Sequence, residues 1–261
     1  MPKILEVQHL RKSFGGVRAV DDVSFDLSAG RLLAMIGPNG AGKSTCFNLI
    51  NGQLKPDSGR VRILGRTSNG CKPREVWKMG VGRTFQITAT FASMTVLENV
   101  QMVKLSHHGR TRSLTRRMQR MYVEESMELL ELVGIKAQWN RPAGVLAYGD
   151  LKRVELAMAL ANNPRLLLMD EPTAGMGAME RTHLMQLTAD IVRSRDIAVL
   201  FTEHDMDVVF THADEIIVLN RGSLVARGAP DQVRANRQVQ EIYLGTEEAA
   251  RLQKNGSEAH D

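Results

Sequence analysis

The sequence predicts an α/β protein built around a mainly parallel sheet, and three observations carry that prediction. From residue 150 onward, strand-like and helix-like segments alternate. The apolar run RLLAMI at 31–36 leads straight into a glycine-rich loop followed by helical sequence. A second apolar run, Leu166-Leu167-Leu168-Met169, ends in two adjacent acids, Asp170 and Glu171.

Taken in order, residues 4–36 hold three short β-like runs, ILEVQHL, AVDDVSFDL and RLLAMI. The turn formers Gly15, Gly16, Ser28, Ala29 and Gly30 separate them. After Lys43 the run STCFNLI has helical character, Lys55-Pro56-Asp57-Ser58-Gly59 makes a turn, and RVRIL alternates like another strand. Between about 87 and 148, Met, Leu, Glu and Arg recur at helical spacing, which predicts a helical insertion. Thr95 and Glu98 have capping-box spacing at one helix start, while Val123, Met127 and Leu130 mark the buried stripe of another that ends at Gly134. Beyond 150 the order is a helix through Leu160, the strand LLLM, a helix over about 178–194, the strand IAVLFT, a short helix and the strand EIIVL. The polar segment 246–261 has no core face and is expected to be a mobile tail.

Composition narrows the class. With 261 residues, 43% hydrophobic and 24% charged, the chain has enough apolar sequence for one domain carrying an insertion. No apolar run approaches the roughly 18 to 20 residues of a membrane-spanning helix, and the opening MPKILEVQHLRKSF lacks the apolar core of a signal peptide. The expected location is therefore cytoplasmic. Cys46 and Cys71 have neither metal spacing nor a disulfide framework around them and are expected to be reduced thiols. The net charge of +5 is densest at Arg110, Arg112, Arg116, Arg117 and Arg120, which suits a solvated helix face or a surface beside an anionic membrane leaflet.

The glycine-rich loop Gly37-Pro38-Asn39-Gly40-Ala41-Gly42-Lys43-Ser44-Thr45 matches G-x-x-x-x-G-K-[ST] in the strand-to-helix context that pattern requires. Its glycines let successive N–H groups turn inward around phosphates, and the following helix adds its positive dipole end. Lys43 is expected on the β- and γ-phosphates and Ser44 on Mg²⁺, a hard cation that takes oxygen ligands. Asp170 and Glu171 fall at the carboxyl edge of the predicted sheet, beside this loop. Asp170 suits the Mg²⁺ shell, and Glu171 suits a general base that polarises a water.

Further elements resemble the ATP-binding cassette (ABC) family over about residues 3–245. The resemblance implies a P-loop NTPase core with a mainly parallel sheet, an N-terminal antiparallel β subdomain and an inserted helical subdomain. It divides the chain into a nucleotide-binding core at 1–86 and 149–245, the insertion 87–148 facing a permease, and the tail 246–261. Gln86, in GVGRTFQ, matches the family's glutamine that senses Mg²⁺ and the γ-phosphate. His204, in LFTEHDM, matches the histidine that contacts the γ-phosphate and orients the water, and Phe14 matches the aromatic that stacks on adenine.

The family signature L-S-G-G-Q stands here as Leu146-Ala147-Tyr148-Gly149-Asp150, without the serine hydroxyl. In the family this segment closes over ATP held by the other subunit. The aspartate usual after the acid pair is also absent, since Ala174-Gly175-Met176-Gly177 occupies that place. LAYGD together with DEPTAGM, FTEHDM and EIYLG is similar to the LivG-like ATPases of branched-chain amino-acid importers. That similarity implies ATP and Mg²⁺ as ligands and a second, unlike ATPase subunit as partner. It also implies two membrane permease subunits, a periplasmic solute-binding protein, and attachment to the cytoplasmic face of a bacterial inner membrane. A nucleic-acid role, which the pI of about 9.4 would tolerate, is disfavoured because ABC proteins of that kind carry two cassettes or a long coiled coil, and this chain has neither.

Overall fold

The computed structural model describes residues 2–84, 90–107 and 121–243. Gln86, the arginine-rich stretch at 110–120 and the tail at 246–261 lie outside the described residues.

The chain begins with β1 (Lys3–Phe14), β2 (Val17–Ser28), β3 (Leu32–Ile36), α1 (Lys43–Ile50), β4 (Ser58–Ile63), β5 (Arg66–Thr67), α2 (Pro73–Lys78) and β6 (Val81–Thr84). Two helices follow, α3 (Val96–His107) and α4 (Val123–Leu132). Then come α5 (Tyr148–Leu160), β7 (Leu166–Asp170), α6 (Ala178–Arg195), β8 (Ala198–Thr202), α7 (Met206–His212), β9 (Glu215–Asn220), β10 (Ser223–Gly228) and α8 (Pro230–Arg234). A last helical stretch spans 237–243. Among the described residues no helix is long and apolar enough to cross a membrane.

Two sheets result. The first is four-stranded and antiparallel, in the order β2-β1-β4-β5. The second has six strands in the order β10-β9-β3-β8-β7-β6, parallel except for the β9–β10 edge. Strand side chains alternate between faces, so a strand with helices or another sheet on both sides must be apolar at every position. That is why β3, β7 and β8 read as unbroken apolar runs. Leu32, Ala34 and Ile36 face the same core as Met169, Phe201 and helices α3 to α7, while Leu33 and Met35 face the core shared with α1 and the antiparallel sheet. Arg227 of β10 binds both Asp26 of β2 and Glu215 of β9, at 3.0 and 2.8 Å, and ties the two sheets at their rim.

The first strand pair differs from the sequence reading. β1 and β2 run on as far as the turn at Gly15 and Gly16 instead of stopping at 10 and starting at 19. Register shifts let them do so, with His9 at φ 49° and Asp22 at φ 59° absorbing the bulges. The capping box is present as expected: Thr95 N–H donates to Glu98 at 2.8 Å and Glu98 N–H to the Thr95 hydroxyl at 3.2 Å. α4 buries Leu129 and Leu130, with Val123 and Met127 packed at the margin, and Gly134 follows its end at φ 73°. Cys46 and Cys71 are free thiols, and burial pushes that of Cys46 up to about 12, which keeps it protonated and inert.

Candidate active site

Parallel pairing brings the site together. The register sets Thr84 beside Met169, Asp170 beside Thr202, and Met35 beside Thr202. The segments that leave β3, β7 and β8 therefore emerge at one edge of the sheet. They are the loop 37–42, Glu171, and the turn carrying His204.

Gly42 forms the N-cap of α1 at φ 102°, and a Cβ there would stand 2.3 Å from the carbonyl oxygen of Ala19. Gly37 is crowded in the same way, its virtual Cβ falling 2.1 Å from the carbonyl oxygen of Leu219. No other residue fits either place without moving backbone. The loop is also braced from β9–β10, where Gly222 N–H donates to the Ala41 carbonyl at 3.0 Å and the Gly222 carbonyl accepts from Asp21 N–H at 2.8 Å. Burial pushes the hydroxyl of Tyr243 up to about 12, and the Gly37 backbone opposes that shift.

The loop opens on a cavity of about 510 Å³ lined by Asn39 to Thr45, Val17 to Ala19, Glu171, His204 and Arg221. The buried Lys43 amine donates to the carbonyls of Gly37 at 2.6 Å and Pro38 at 3.2 Å. Burial lowers its pKa, and the charges of Glu171 and Asp170 oppose that shift. The cavity is thus basic at its floor and acidic at one wall.

Glu171 adopts φ 49°, and its N–H donates to both the carbonyl and the hydroxyl of Thr202 at 3.1 Å. Turned this way, its Oε1 accepts the Nε2–H of His204 at 2.8 Å, the acceptor fixing the tautomer. Asp170 points elsewhere: its Oδ1 accepts the buried Thr202 hydroxyl at 2.7 Å and its Oδ2 lies 3.9 Å from Arg83. Thr202 thus orients both acids, a role its place in an apolar run concealed.

Phe14 is 47% exposed, so it is not a core residue, and it is not among the residues lining this cavity. Leu146 to Asp150 also lie apart from it, at the start of α5. Ala147 is the N-cap of α5 and gives no side-chain cap, while Asp150 accepts Gln138 Nε2 at 2.6 Å. The Tyr148 hydroxyl donates to the Ala174 carbonyl at 3.0 Å.

Comparison with known proteins places this architecture. A family model described as ABC transporter matches residues 20–174, and one described as branched-chain amino acid ATP-binding cassette transporter matches 223–249. The chain is 38% identical over 250 residues to the high-affinity branched-chain amino acid transport ATP-binding protein BraF of Pseudomonas aeruginosa, covering 93% of this chain and 98% of BraF. It is 37% identical over 250 residues to the corresponding protein LivG of Escherichia coli K12, with the same coverage of 93% and 98%. The crystal structure of the ADP conformation of an ATP-binding cassette of an ABC transporter superposes with a TM-score of 0.82 at 31% identity, covering 94% of this chain and all of that one. Matched by one family model over more than half its length and by these relatives over nearly all of it, the chain belongs to the ABC transporter family of ATP-binding proteins.

Proposed function

We propose that this chain binds and hydrolyses ATP to energise uptake of branched-chain amino acids, or a related small solute, through a pair of membrane permease subunits. The observation that carries this reading is the convergence of the loop 37–45, Asp170, Glu171 and His204 at one sheet edge, in a chain this similar to BraF and LivG.

The loop's crowded glycines and the buried Lys43 amine fit a triphosphate, with Lys43 exchanging its bonds to Gly37 and Pro38 for phosphate oxygens. Ser44 and Asp170, with Gln86, would hold Mg²⁺, which supplies charge neutralisation at the phosphates. Thr202 fixes the orientation of the Asp170 carboxylate at the end of β7. Glu171 takes a proton from the attacking water, and His204 holds the carboxylate in position. Phe14, whose strand partner Val17 lines the cavity, supplies an exposed ring against adenine.

The chain works as half of a heterodimer at the cytoplasmic face of the membrane. Leu146 to Asp150 serve the ATP of the second subunit, and the insertion 87–148 faces the permease. A groove of about 550 Å³ between α2, β6, α3 and α5, walled by Trp77, Phe91, Met102 and Met158, suits a short cytoplasmic helix of a permease subunit.

Reconstitution in liposomes with its two permeases, partner ATPase and binding protein tests this. ATP-dependent accumulation of leucine, isoleucine or valine, lost in Lys43→Ala, is expected. ATP hydrolysis without accumulation of any branched-chain amino acid would overturn the substrate assignment, and failure of the isolated chain to bind ATP would overturn the rest.

A further inference from the structure

The loop between β7 and α6 starts with Glu171 and is anchored unevenly. Its first half is fastened to the end of β8: Thr173 donates from N–H and hydroxyl to the buried Glu203 carboxylate at 2.8 and 2.7 Å. Its second half turns at Gly175, with φ 78°, and leans on α5 instead. There the Tyr148 hydroxyl donates to the Ala174 carbonyl, and the ring edge lies so close that a Cβ on Gly175 would meet Tyr148 Cε1 at 3.5 Å. Ala174 N–H in turn donates to the Glu171 carbonyl at 3.2 Å. Two consecutive hydrogen bonds therefore lead from the first residue of α5 to the backbone of Glu171.

The ring itself is held. Lys152, one helical turn on, sets its ammonium 5.4 Å from the Tyr148 ring centroid and pairs with Glu155 at 3.0 Å, both charges buried. Glu155 also lines the groove beside α2 and α3. A buried ion pair that packs against an aromatic face fixes orientation more than it adds stability.

We propose that Tyr148 is a positioning residue for hydrolysis within its own chain: it locks the loop 171–177 to α5, so that Glu171 keeps its place only while α5 does. The inference rests on Glu171 being the general base. It gives the tyrosine of the altered signature an intramolecular task, separate from any contact with the partner's nucleotide. Through Lys152 and Glu155 it also joins the groove to the loop, so a group seated in the groove can bias the position of Glu171.

The test is Tyr148→Phe, which keeps the ring and removes only the hydroxyl. Amide hydrogen exchange of the isolated chain should rise roughly 3- to 10-fold in residues 174–177, the worth of one neutral hydrogen bond. In the assembled transporter kcat should fall by a similar factor, with the Kd for ATP changed by less than about twofold. The double variant Lys152→Met/Glu155→Gln, which removes both charges of that pair, should give a smaller change of the same kind. Unchanged exchange in 174–177, unchanged kcat, or a Kd weakened in step with kcat would each overturn the proposal. A wild-type complex that does not hydrolyse ATP would refute the ATPase reading instead, and the exchange measurement would still decide whether the lock exists.

Discussion

The imidazole Nε2 of His204 lies 2.8 Å from Oε1 of Glu171, joining the ends of two neighbouring parallel strands across the mouth of the cavity. A hydrogen bond to a carboxylate contributes about 1.5–3 kcal/mol, so His204→Ala should lower kcat roughly 10- to 100-fold. ATP affinity should change far less, because His204 acts on Glu171 and not on the loop 37–45. Steady-state hydrolysis paired with equilibrium nucleotide binding checks this, and wild-type kcat in the variant would count against it.

Tyr243 packs against the main core, with the backbone of Gly37 opposing the upward shift of its phenol. Its phenol, pushed up to about 12 chiefly by burial, stays neutral across the physiological range. Tyr243→Phe removes a hydroxyl whose pKa is affected by the Gly37 backbone, so a stability loss of about 0.5–1.5 kcal/mol is expected together with weaker ATP binding. Thermal unfolding with and without ATP measures both. A variant that loses stability but binds ATP as before would show that the hydroxyl serves the fold alone.

The sheet and its glycine-rich loop were legible because they are written locally. Four apolar runs, one motif and one acid pair each occupy fewer than ten consecutive residues. What escaped was either short or long-range. β6, reading VGRT, has no alternation, and its Gly82 is there because a Cβ would lie 2.5 Å from the Ala159 carbonyl. α2 and α8 are single short turns opened by Pro73 and Pro230. Thr202 looked like the end of an apolar strand, and only the pairing of β7 with β8 sets its hydroxyl on Asp170. Nothing near Tyr148 or Tyr243 in sequence points to Ala174 or Gly37, since both contacts are made by folding. The sequence did isolate Glu171 and His204, and the 2.8 Å between them came from the structure.

Ala147 sits at the N-cap of α5 without a hydroxyl to offer. Ala147→Ser should stabilise the chain by about 0.5–2 kcal/mol by capping that helix. If α5 also closes over the partner's ATP, the same change should accelerate hydrolysis in the partner's site and leave this chain's own site unaltered. Single-turnover assays on the assembled complex, with the proposed base glutamate disabled in one subunit at a time, separate the two sites. An unchanged rate in the partner's site with Ala147→Ser would refute that contact.

His212, buried at the end of α7, has its pKa lowered from 6.5, first by burial and then by Arg193. The folded chain refuses a proton that the unfolded chain accepts, so stability is full above 6.5 and is lost as pH falls through the depressed folded value. Between about pH 7.5 and about pH 5.5, urea unfolding should show a larger stability loss in wild type than in His212→Gln. Identical losses would mean that His212 does not titrate in this window.

Glu171→Gln tests the chemistry most directly, because the amide keeps the shape of the side chain and removes the carboxylate proposed as the base. In the assembled complex, hydrolysis should fall by roughly 100-fold or more, while the affinity for ATP stays within about threefold of wild type. Lys43→Ala in parallel should weaken binding itself. Near wild-type turnover in Glu171→Gln, with ATP still bound, would contradict the assignment of Glu171 as the group that activates water.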